Sequence, residues 1–258
     1  MIRSSIRARS ARRARRSMAA ELLTIRVAGL NVGFRFRYEH LPAVFAGYRT
    51  DCAPDFTVEA SDEAIARYQA MMPEQTAAYC ETVAAHAAMC EQLWIHHAFC
   101  MHAAAIAMDG RAYLFAAMSG TGKSTHIRQW GRRFGRRVTV INGDKPLLRL
   151  GADGVFRVCG SPWCGKEGWQ TNTEAPLAGI CFLERAETDF IEPMDNRAVL
   201  QKLFLQVVVP EQDEHVDACF TLLDRLVSTV PCYRLGCTIS PHAAEVAWRG
   251  MNPQEETV

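Results

Sequence analysis

A short glycine-containing loop over residues 117–124 has the residue types and spacing needed to hold phosphate groups. Its sequence, AMSGTGKS, follows the apolar run RAYLFA and precedes the helical pattern KSTHIRQWGRRF. Glycines allow successive N–H groups to point at phosphate oxygens, and a helix N-terminus adds a partial positive charge. In this pattern the lysine reaches the β and γ phosphates, and the hydroxyl after it binds Mg²⁺. The sequence therefore predicts ATP and Mg²⁺ as ligands, with the nucleotide-binding residues Ser119, Gly120, Thr121, Gly122, Lys123, Ser124 and Thr125.

The loop departs from the Walker A pattern, G-x-x-x-x-G-K-[ST], at its first position, where Ala117 stands. Alanine fits if that position needs only ordinary backbone angles and a small side chain. The alternative interpretation is a Gly-Lys-Ser turn that binds no ligand. The predicted strand before the loop and the predicted helix after it are the context that the motif requires, and they favour the nucleotide site.

A carboxylate follows the next apolar run of the chain. Asp144 comes shortly after the run VTVI, and α/β proteins bind their ligands at strand ends. Asp144 is therefore the candidate to bind Mg²⁺ together with Ser124 or to act in catalysis. The segment NGDKP is also rich in turn-forming residues, so an ordinary turn aspartate is the alternative.

The composition is that of a globular protein without a membrane span. The chain has 258 residues, of which 49% are hydrophobic and 22% are charged. Its apolar runs are strand-sized and shorter than the 18 or more residues of a membrane helix. We therefore expect a cytoplasmic protein with no membrane partner.

The basic charge is concentrated at the N-terminus. Residues 1–17 contain seven arginines and no acid, and removing those charges from the net +1 leaves −6 for the remaining residues. This balance predicts a basic disordered arm on a mildly acidic body. Only the arm has the charge to bind a polyanion, so we expect no nucleic-acid partner for the body.

Ten cysteines are scattered along the chain, and none forms a C-x-x-C pair. Several lie in apolar runs, where cysteine packs as a small hydrophobic residue. The spacing of Cys159 and Cys164 matches no structural zinc pattern. We therefore expect reduced thiols, as in a cytosolic protein.

The segment 18–97 predicts a small sheet and two helices. LLTIRVAGLNVGFRFRY indicates two strands joined by a turn, and PDFTVEAS indicates a third. Two helical patterns follow, with Ser61 as the N-cap of the first and Pro73 in the first turn of the second. This segment carries no catalytic motif of its own.

The segment 98–250 alternates predicted strands and helices. MDGR between two apolar runs predicts a hairpin directly before the loop. Further strands are predicted around VTVI, VFRVCG, PLAGICFLER and CYRLGC, and helices over 194–208, over 210–228 and from Ser240. The predicted fold class is α/β, with a mixed central sheet, the phosphate loop and a small N-terminal α+β elaboration, followed by a tail at 251–258.

Three stretches together resemble a known family. MHAAAIAMDGRAYLFAAMSGTGKSTH, INGDKPLLRL and GSPWCGKEGWQTN are similar to the P-loop kinase domain of HPr kinase/phosphorylase and its phosphoenolpyruvate carboxykinase-like relatives, which include kinases of lasso-peptide clusters. The resemblance covers roughly 98–250. It implies that family's nucleotide-binding fold, phosphoryl transfer from Mg-ATP and a homo-oligomer.

The resemblance also assigns roles to residues. The family's histidine before the loop falls on His102, and its acidic pair after the next strand falls on Gly143 and Asp144. Because Gly143 has no carboxylate, either another group replaces it or the activity is altered. The resemblance makes Asp144, His102 and Lys123 the catalytic candidates, whereas the apolar run CMHAAAIAM would also suit a histidine that only packs in the core.

The segment SPWCGKEGWQTN has the composition of a substrate-facing loop. Lys166 could contact a phosphate, Glu167 could act as a base, and Arg185 could neutralise phosphate charge. Solvated loop charges and an ordinary arginine at a strand end are the alternatives. His126, one turn into the loop helix, either approaches the site or packs on the preceding strand.

The predicted function is an ATP-dependent kinase acting on a hydroxyl of a small molecule, a peptide or a protein. A non-catalytic ATP-binding sensor is the alternative, supported by Gly143 and Ala117. A phosphoenolpyruvate carboxykinase is less favoured, since enzymes with that activity are about twice as long.

Overall fold

The computed structural model describes residues 22–38 and 43–253. The basic arm predicted at 1–17 lies outside the described residues, as do the last five residues of the tail. The described part of the chain contains twelve strands in two sheets. The strands are β1 (Leu22–Val27), β2 (Leu30–Arg35), β3 (Phe56–Glu59), β4 (Ala98–Cys100), β5 (Ala103–Met108), β6 (Arg111–Ala116), β7 (Val138–Asn142), β8 (Leu147–Leu150), β9 (Phe156–Cys159), β10 (Glu174–Arg185), β11 (Phe190–Pro193) and β12 (Cys232–Cys237).

Six α-helices accompany these strands in the described residues. They are α1 (Asp62–Met71), α2 (Ala77–Leu93), α3 (Lys123–Phe134), α4 (Asn196–Leu203), α5 (Asp213–Thr229) and α6 (Pro241–Met251), with short 3₁₀ turns at Ala43–Tyr48, Trp94–His96 and Gly135–Arg137. Ser61 caps α1 and Ser240 caps α6, each accepting a hydrogen bond from a first-turn N–H, as the sequence predicts.

The large sheet is mixed and has nine strands, in the order β4-β8-β9-β10-β6-β5-β7 with β12 and β11 joined through β10. The long strand β10 pairs in parallel with β6 and β12 and, at its start, antiparallel with β9. The hairpin β5–β6 turns at Asp109 and Gly110, which both have positive φ, as the MDGR signal predicts. The fold is thus mixed α/β, in agreement with the predicted class.

Strand directions bring several chain segments to one edge of this sheet. β5 runs antiparallel to both β6 and β7, so it begins where those two strands end. The register pairs Ala103 with Ala116 and Ala105 with Asn142. β10 runs parallel to β6, so its end also lies at this edge. The residue before β5, the loop after β6, the turn after β7 and the end of β10 are therefore neighbours.

Apolar layers cover both faces of the sheet. One core, between the sheet and α3 and α6, includes Phe115, Trp130 and Leu235, while the other, between the sheet and α4 and α5, includes Leu114 and Leu226. These five side chains are at most 2% exposed. Burial of each stabilises the fold by roughly 1.5–3 kcal/mol, which fixes the helices against the strands.

The N-terminal elements share a third core with the large sheet. Phe34 of β2 and Leu93 of α2 pack in one cluster with Cys100 of β4 and Leu147 of β8. The small sheet has β2 at its centre, antiparallel to β1 and parallel to β3. α2 therefore lies against β4, close to the edge where β5 begins.

Two sequence-based boundaries are wrong. Pro73 is not in the first turn of a helix, because α2 begins at Ala77 and its N-cap is Thr76, whose hydroxyl accepts from the N–H of Tyr79. The helix predicted over 194–208 ends at Leu203. The chain then leaves the helix because Val207 bridges to Met101 and the Gln206 carbonyl accepts from His102 N–H.

Candidate active site

The loop after β6 exposes backbone N–H groups at the start of α3. Gly120 and Gly122 have φ of +79° and +129°, and a Cβ at either position would extend into open space. Gly122 is the N-cap of α3, and no side chain caps this helix. Ser124 and Thr125 follow in the first helical turn, half-buried. An uncapped helix N-terminus with open space before it is suited to bind an anion, so the described residues fit a phosphate group.

Arg185 fixes the outer side of this loop. Its guanidinium donates to the carbonyls of Gly120 (2.8 Å) and Thr121 (3.3 Å). The C=O and N–H of one peptide unit point in opposite directions. The bond to the Thr121 carbonyl therefore turns the N–H of Gly122 away from Arg185. The structure thus brings Arg185 to the loop, where it bonds the backbone. Among the remaining loop residues, Ser119 is exposed and Thr121 N–H closes a turn onto the carbonyl of Met118 (3.2 Å).

Lys123 is buried beneath the loop. Its ammonium donates to the carbonyl of Ala117 (2.9 Å) and lies 3.1 Å from Nε2 of His102. Burial lowers the pKa of Lys123 below its ordinary value, although the Asp144 charge acts in the opposite direction. The lysine therefore sits at the convergence of the loop, the residue before β5 and the turn after β7.

His102 lies between the lysine and the carboxylate. Its Nε2 is 3.1 Å from Lys123 Nζ and 3.4 Å from Asp144 Oδ1. A neutral Nε2 accepts from the ammonium, whereas an Nε2–H donates to the carboxylate, so the tautomer decides which neighbour it bonds. Backbone pairing places His102 beside Asp144, because the N–H of the next residue, Ala103, donates to the Asp144 carbonyl at 3.2 Å.

A buried asparagine shapes the turn that carries Asp144. Asn142 is fully buried, and its Oδ1 accepts from the N–H groups of Asp144 (2.8 Å) and Lys145 (2.7 Å). Its Nδ2 donates to the Ser161 carbonyl at 2.9 Å. Asn142 thus holds the turn after β7 against the segment that follows β9, a role that no local sequence pattern indicates.

Asp144 is ionised at neutral pH. Burial by itself would raise its pKa, but the hydrogen bond from His102 and the charges of Lys145, His102 and Lys123 outweigh burial and hold the pKa below its ordinary value. An ionised carboxylate can accept a hydrogen bond from a hydroxyl or bind a cation, which are the two roles predicted for this residue.

Gly143 lies under the segment that covers the site. Its N–H donates to the Trp169 carbonyl at 2.9 Å, and a Cβ there would be 3.4 Å from both the Cys164 carbonyl and the Trp169 Cβ. The position is therefore closed on one side by backbone. The only carboxylate that this turn contributes is Asp144.

The predicted substrate loop docks on α3. Glu167 pairs with Arg128 (3.0 Å), and the Arg128 guanidinium lies 4.9 Å from the centre of the Trp169 ring. Glu167 thus has a cationic partner outside the Lys123–His102–Asp144 group. Lys166 is exposed and lies at a cavity that extends from Asp144.

That cavity has a volume of about 440 Å³. Its lining is mainly apolar and comes from the first 3₁₀ turn, α2 and residues 162–168, while Asp144 and Lys145 form a polar end. The side chains of Phe45, Val83 and Trp163 belong to the apolar part. No local sequence pattern predicts this cavity, because its walls come from segments that are distant in the chain.

His126 packs on the preceding strand and takes no part in the site. Its Nε2 accepts from Trp130 Nε1 (3.0 Å), and its ring contacts Phe115. Burial lowers the pKa of His126 to about 4. Of the two interpretations of this residue, the packed one is confirmed.

The lowered pKa of His126 predicts a loss of stability in acid. Below about pH 6.5 the unfolded chain binds a proton at this residue, but the folded chain does not until about pH 4. The free energy of unfolding should therefore fall by about 1.4 kcal/mol per pH unit in this window, or roughly 3 kcal/mol in total. Denaturant unfolding of the wild type and His126→Gln between pH 7 and pH 4.5 measures this difference, and parallel pH profiles would contradict it.

Within residues 22–38 and 43–253, no helix is both long and apolar enough to cross a membrane.

Comparisons with known proteins place the chain in a family. A search of the curated proteins found no match. Among solved structures, the Hpr(Ser) kinase/phosphatase from Coxiella burnetii is similar at 10% identity, with 61% of this chain and 92% of that chain covered and a TM-score of 0.37. The family model described as SynChlorMet cassette protein ScmC matches residues 71–249. This match spans more than half of the chain and includes His102, Lys123 and Asp144, and the chain therefore belongs to the ScmC family.

Proposed function

We propose that this protein is a phosphotransferase that moves the γ-phosphoryl group of ATP to a hydroxyl. The observation that carries the proposal is the group formed by the uncapped N-terminus of α3, Lys123, His102 and Asp144 at one sheet edge. Phosphoryl transfer needs mainly positioning of the reactants and stabilisation of charge, and these residues would supply both.

The nucleotide side of the site would be formed by the loop. The N–H groups at the start of α3 would bond phosphate oxygens, while Lys123 would exchange its present bonds to Ala117 and His102 for a phosphate contact. Ser124 and Asp144 are the residues that would hold Mg²⁺. When bound, Mg²⁺ supplies positive charge that offsets the negative charge of the ATP phosphates.

The acceptor side would be formed by Asp144 and His102. When Lys123 turns to phosphate, the His102 Nε2 loses its ammonium neighbour, and the carboxylate 3.4 Å away becomes the one partner of this nitrogen in the group. Asp144 would then orient the acceptor hydroxyl through its other oxygen. In this account His102 compensates for Gly143 by holding the one remaining carboxylate, and no second carboxylate is needed.

The cavity beside Asp144 is the proposed acceptor pocket. Its apolar walls and polar end suit an acceptor with an apolar body and a hydroxyl that reaches Asp144. A free small molecule or the side chain of a peptide could meet this description. The apolar lining disfavours a fully polar acceptor such as a simple sugar.

The test is transfer of label from γ-labelled ATP, with Mg²⁺, to a pool of hydroxyl compounds graded by apolar content and a set of serine, threonine and tyrosine peptides. We expect a labelled acceptor with apolar character. Tight ATP binding without any labelled acceptor would instead favour the sensor function, for which the missing carboxylate at Gly143 is the specific observation.

A bulky substitution in the cavity should separate acceptor use from nucleotide binding. Val83→Trp fills the apolar part from α2, so transfer to the acceptor should fall roughly tenfold or more while ATP affinity stays within about threefold. Val155→Trp, the same substitution at an exposed valine between β8 and β9 that does not line the cavity, is the matched control. Equal rates of transfer to the acceptor in Val83→Trp and wild type would show that the cavity does not bind the acceptor.

A further inference from the structure

Three side chains that can bind a metal meet between α2 and β4, outside the proposed transfer site. Cys90 Sγ lies 3.5 Å and Cys100 Sγ lies 3.6 Å from Nε2 of His86. All three ligand atoms are within 4.8 Å of one another, the only such group found in the described residues. His86 and Cys90 are one helical turn apart on α2, while Cys100 comes from β4, so folding brings the third ligand to the other two.

The three side chains are close enough to share one ion after a turn of the His86 ring. Zinc bonds sulfur at about 2.3 Å and nitrogen at about 2.0–2.1 Å, which sets the N···S edge of a tetrahedral site at about 3.5–3.6 Å. Both sulfurs lie at this distance from Nε2, but Cys90 Sγ is also 3.8 Å from Nδ1 and so lies beside the ring. The ring must therefore turn for Nε2 to point between the two sulfurs.

Hydrogen bonds join the three side chains to one another. Both sulfurs lie within hydrogen-bond distance of the His86 ring, and Cys90 and Cys100 also bond each other, so one S–H can donate to the acceptor nitrogen while the other donates to sulfur. Neither cysteine forms a disulfide, and each is only 1% exposed. A divalent ion would satisfy both sulfurs and the nitrogen together, and two thiolates would neutralise its charge in this buried place.

We propose that His86, Cys90 and Cys100 bind a zinc ion. The site has three protein ligands, so its fourth position is left for water, and His86 lines the cavity through which ion and water can enter. The zinc ties α2 to β4 and so fixes the wall of the cavity. This proposal does not depend on phosphoryl transfer, and its test has no activity readout.

The test uses the full chain as purified, then stripped with a chelator and reloaded with cobalt(II). We expect about one zinc per chain by elemental analysis, and after reloading a tetrahedral cobalt spectrum with a thiolate-to-cobalt charge-transfer band. Cys90→Ser should lose most of that band. Cys80→Ser, a buried cysteine on the same helix that is not part of the cluster, should keep it.

The wild-type spectrum decides the question even if a variant folds poorly. A wild-type protein that takes up no cobalt, or takes it up without a thiolate band, would overturn the proposal. So would a folded Cys90→Ser protein with the full band. Supporting evidence would be a melting temperature that falls on chelation in wild type and Cys80→Ser but not in Cys90→Ser.

Discussion

Replacing Lys123 with alanine is expected to weaken ATP binding by roughly tenfold to a hundredfold and to abolish measurable transfer. The lysine is the one ammonium buried under the loop in the described residues, and a charge-assisted hydrogen bond to phosphate contributes roughly 1.5–3 kcal/mol. Its loss also removes the positive charge that would stabilise the negative charge developing on the transferred phosphoryl group. Titration calorimetry with ATP and Mg²⁺ measures the affinity.

The control for this variant is Arg225→Ala. Arg225 is an exposed cation on α5, and its guanidinium lies at Gly154, in the turn between β8 and β9. Thermal melting of both variants checks that the fold is retained. If Lys123→Ala binds ATP as tightly as Arg225→Ala, the loop is not the phosphate site.

Replacing Asp144 with asparagine is expected to lower turnover by about 10²–10⁴-fold and to change ATP affinity far less. The substitution keeps the shape of the side chain and the Asn142 hydrogen bond to the backbone N–H of residue 144, so the turn should persist. It removes the negative charge that would orient the hydroxyl and hold Mg²⁺. Steady-state rates at saturating ATP measure the effect.

Asp153→Asn is the matched control, because Asp153 is a surface aspartate that pairs with Arg157 in a turn. Its pKa is lowered to about 2 by that pair, so it is ionised at neutral pH as Asp144 is. Turnover in Asp153→Asn should equal that of the wild type. If Asp144→Asn retains wild-type turnover, the carboxylate has no role in transfer.

Local sequence signals predict the loop and its carboxylate. Glycines followed by Lys123 and Ser124, between an apolar run and a helical pattern, are sufficient to predict an uncapped helix start with a lysine beside it. Asp144 follows a short apolar run in a turn-rich segment, and such turns lie at strand ends. These features depend on residues that are neighbours in the chain, so they can be predicted from the sequence alone.

Long-range contacts determine the rest of the site. The Arg185 bonds to the loop carbonyls depend on the parallel pairing of β10 with β6, and the position of His102 depends on β5 beginning where β7 ends. The zinc ligands were missed because Cys100 joins His86 and Cys90 only when α2 packs on β4. The early end of α4 has the same origin, since Gln206 leaves the helix to accept from His102.

Transfer of γ-label from ATP to a hydroxyl acceptor by the full chain, with ATP affinity measured on the same sample, tests the proposed phosphotransferase activity most directly. We expect an acceptor-dependent labelled product in the wild type that is absent in Lys123→Ala and reduced by about 10²–10⁴-fold in Asp144→Asn. A wild-type protein that binds ATP but labels no acceptor, or an Asp144→Asn protein that labels it at the wild-type rate, would show that the site does not work in this way.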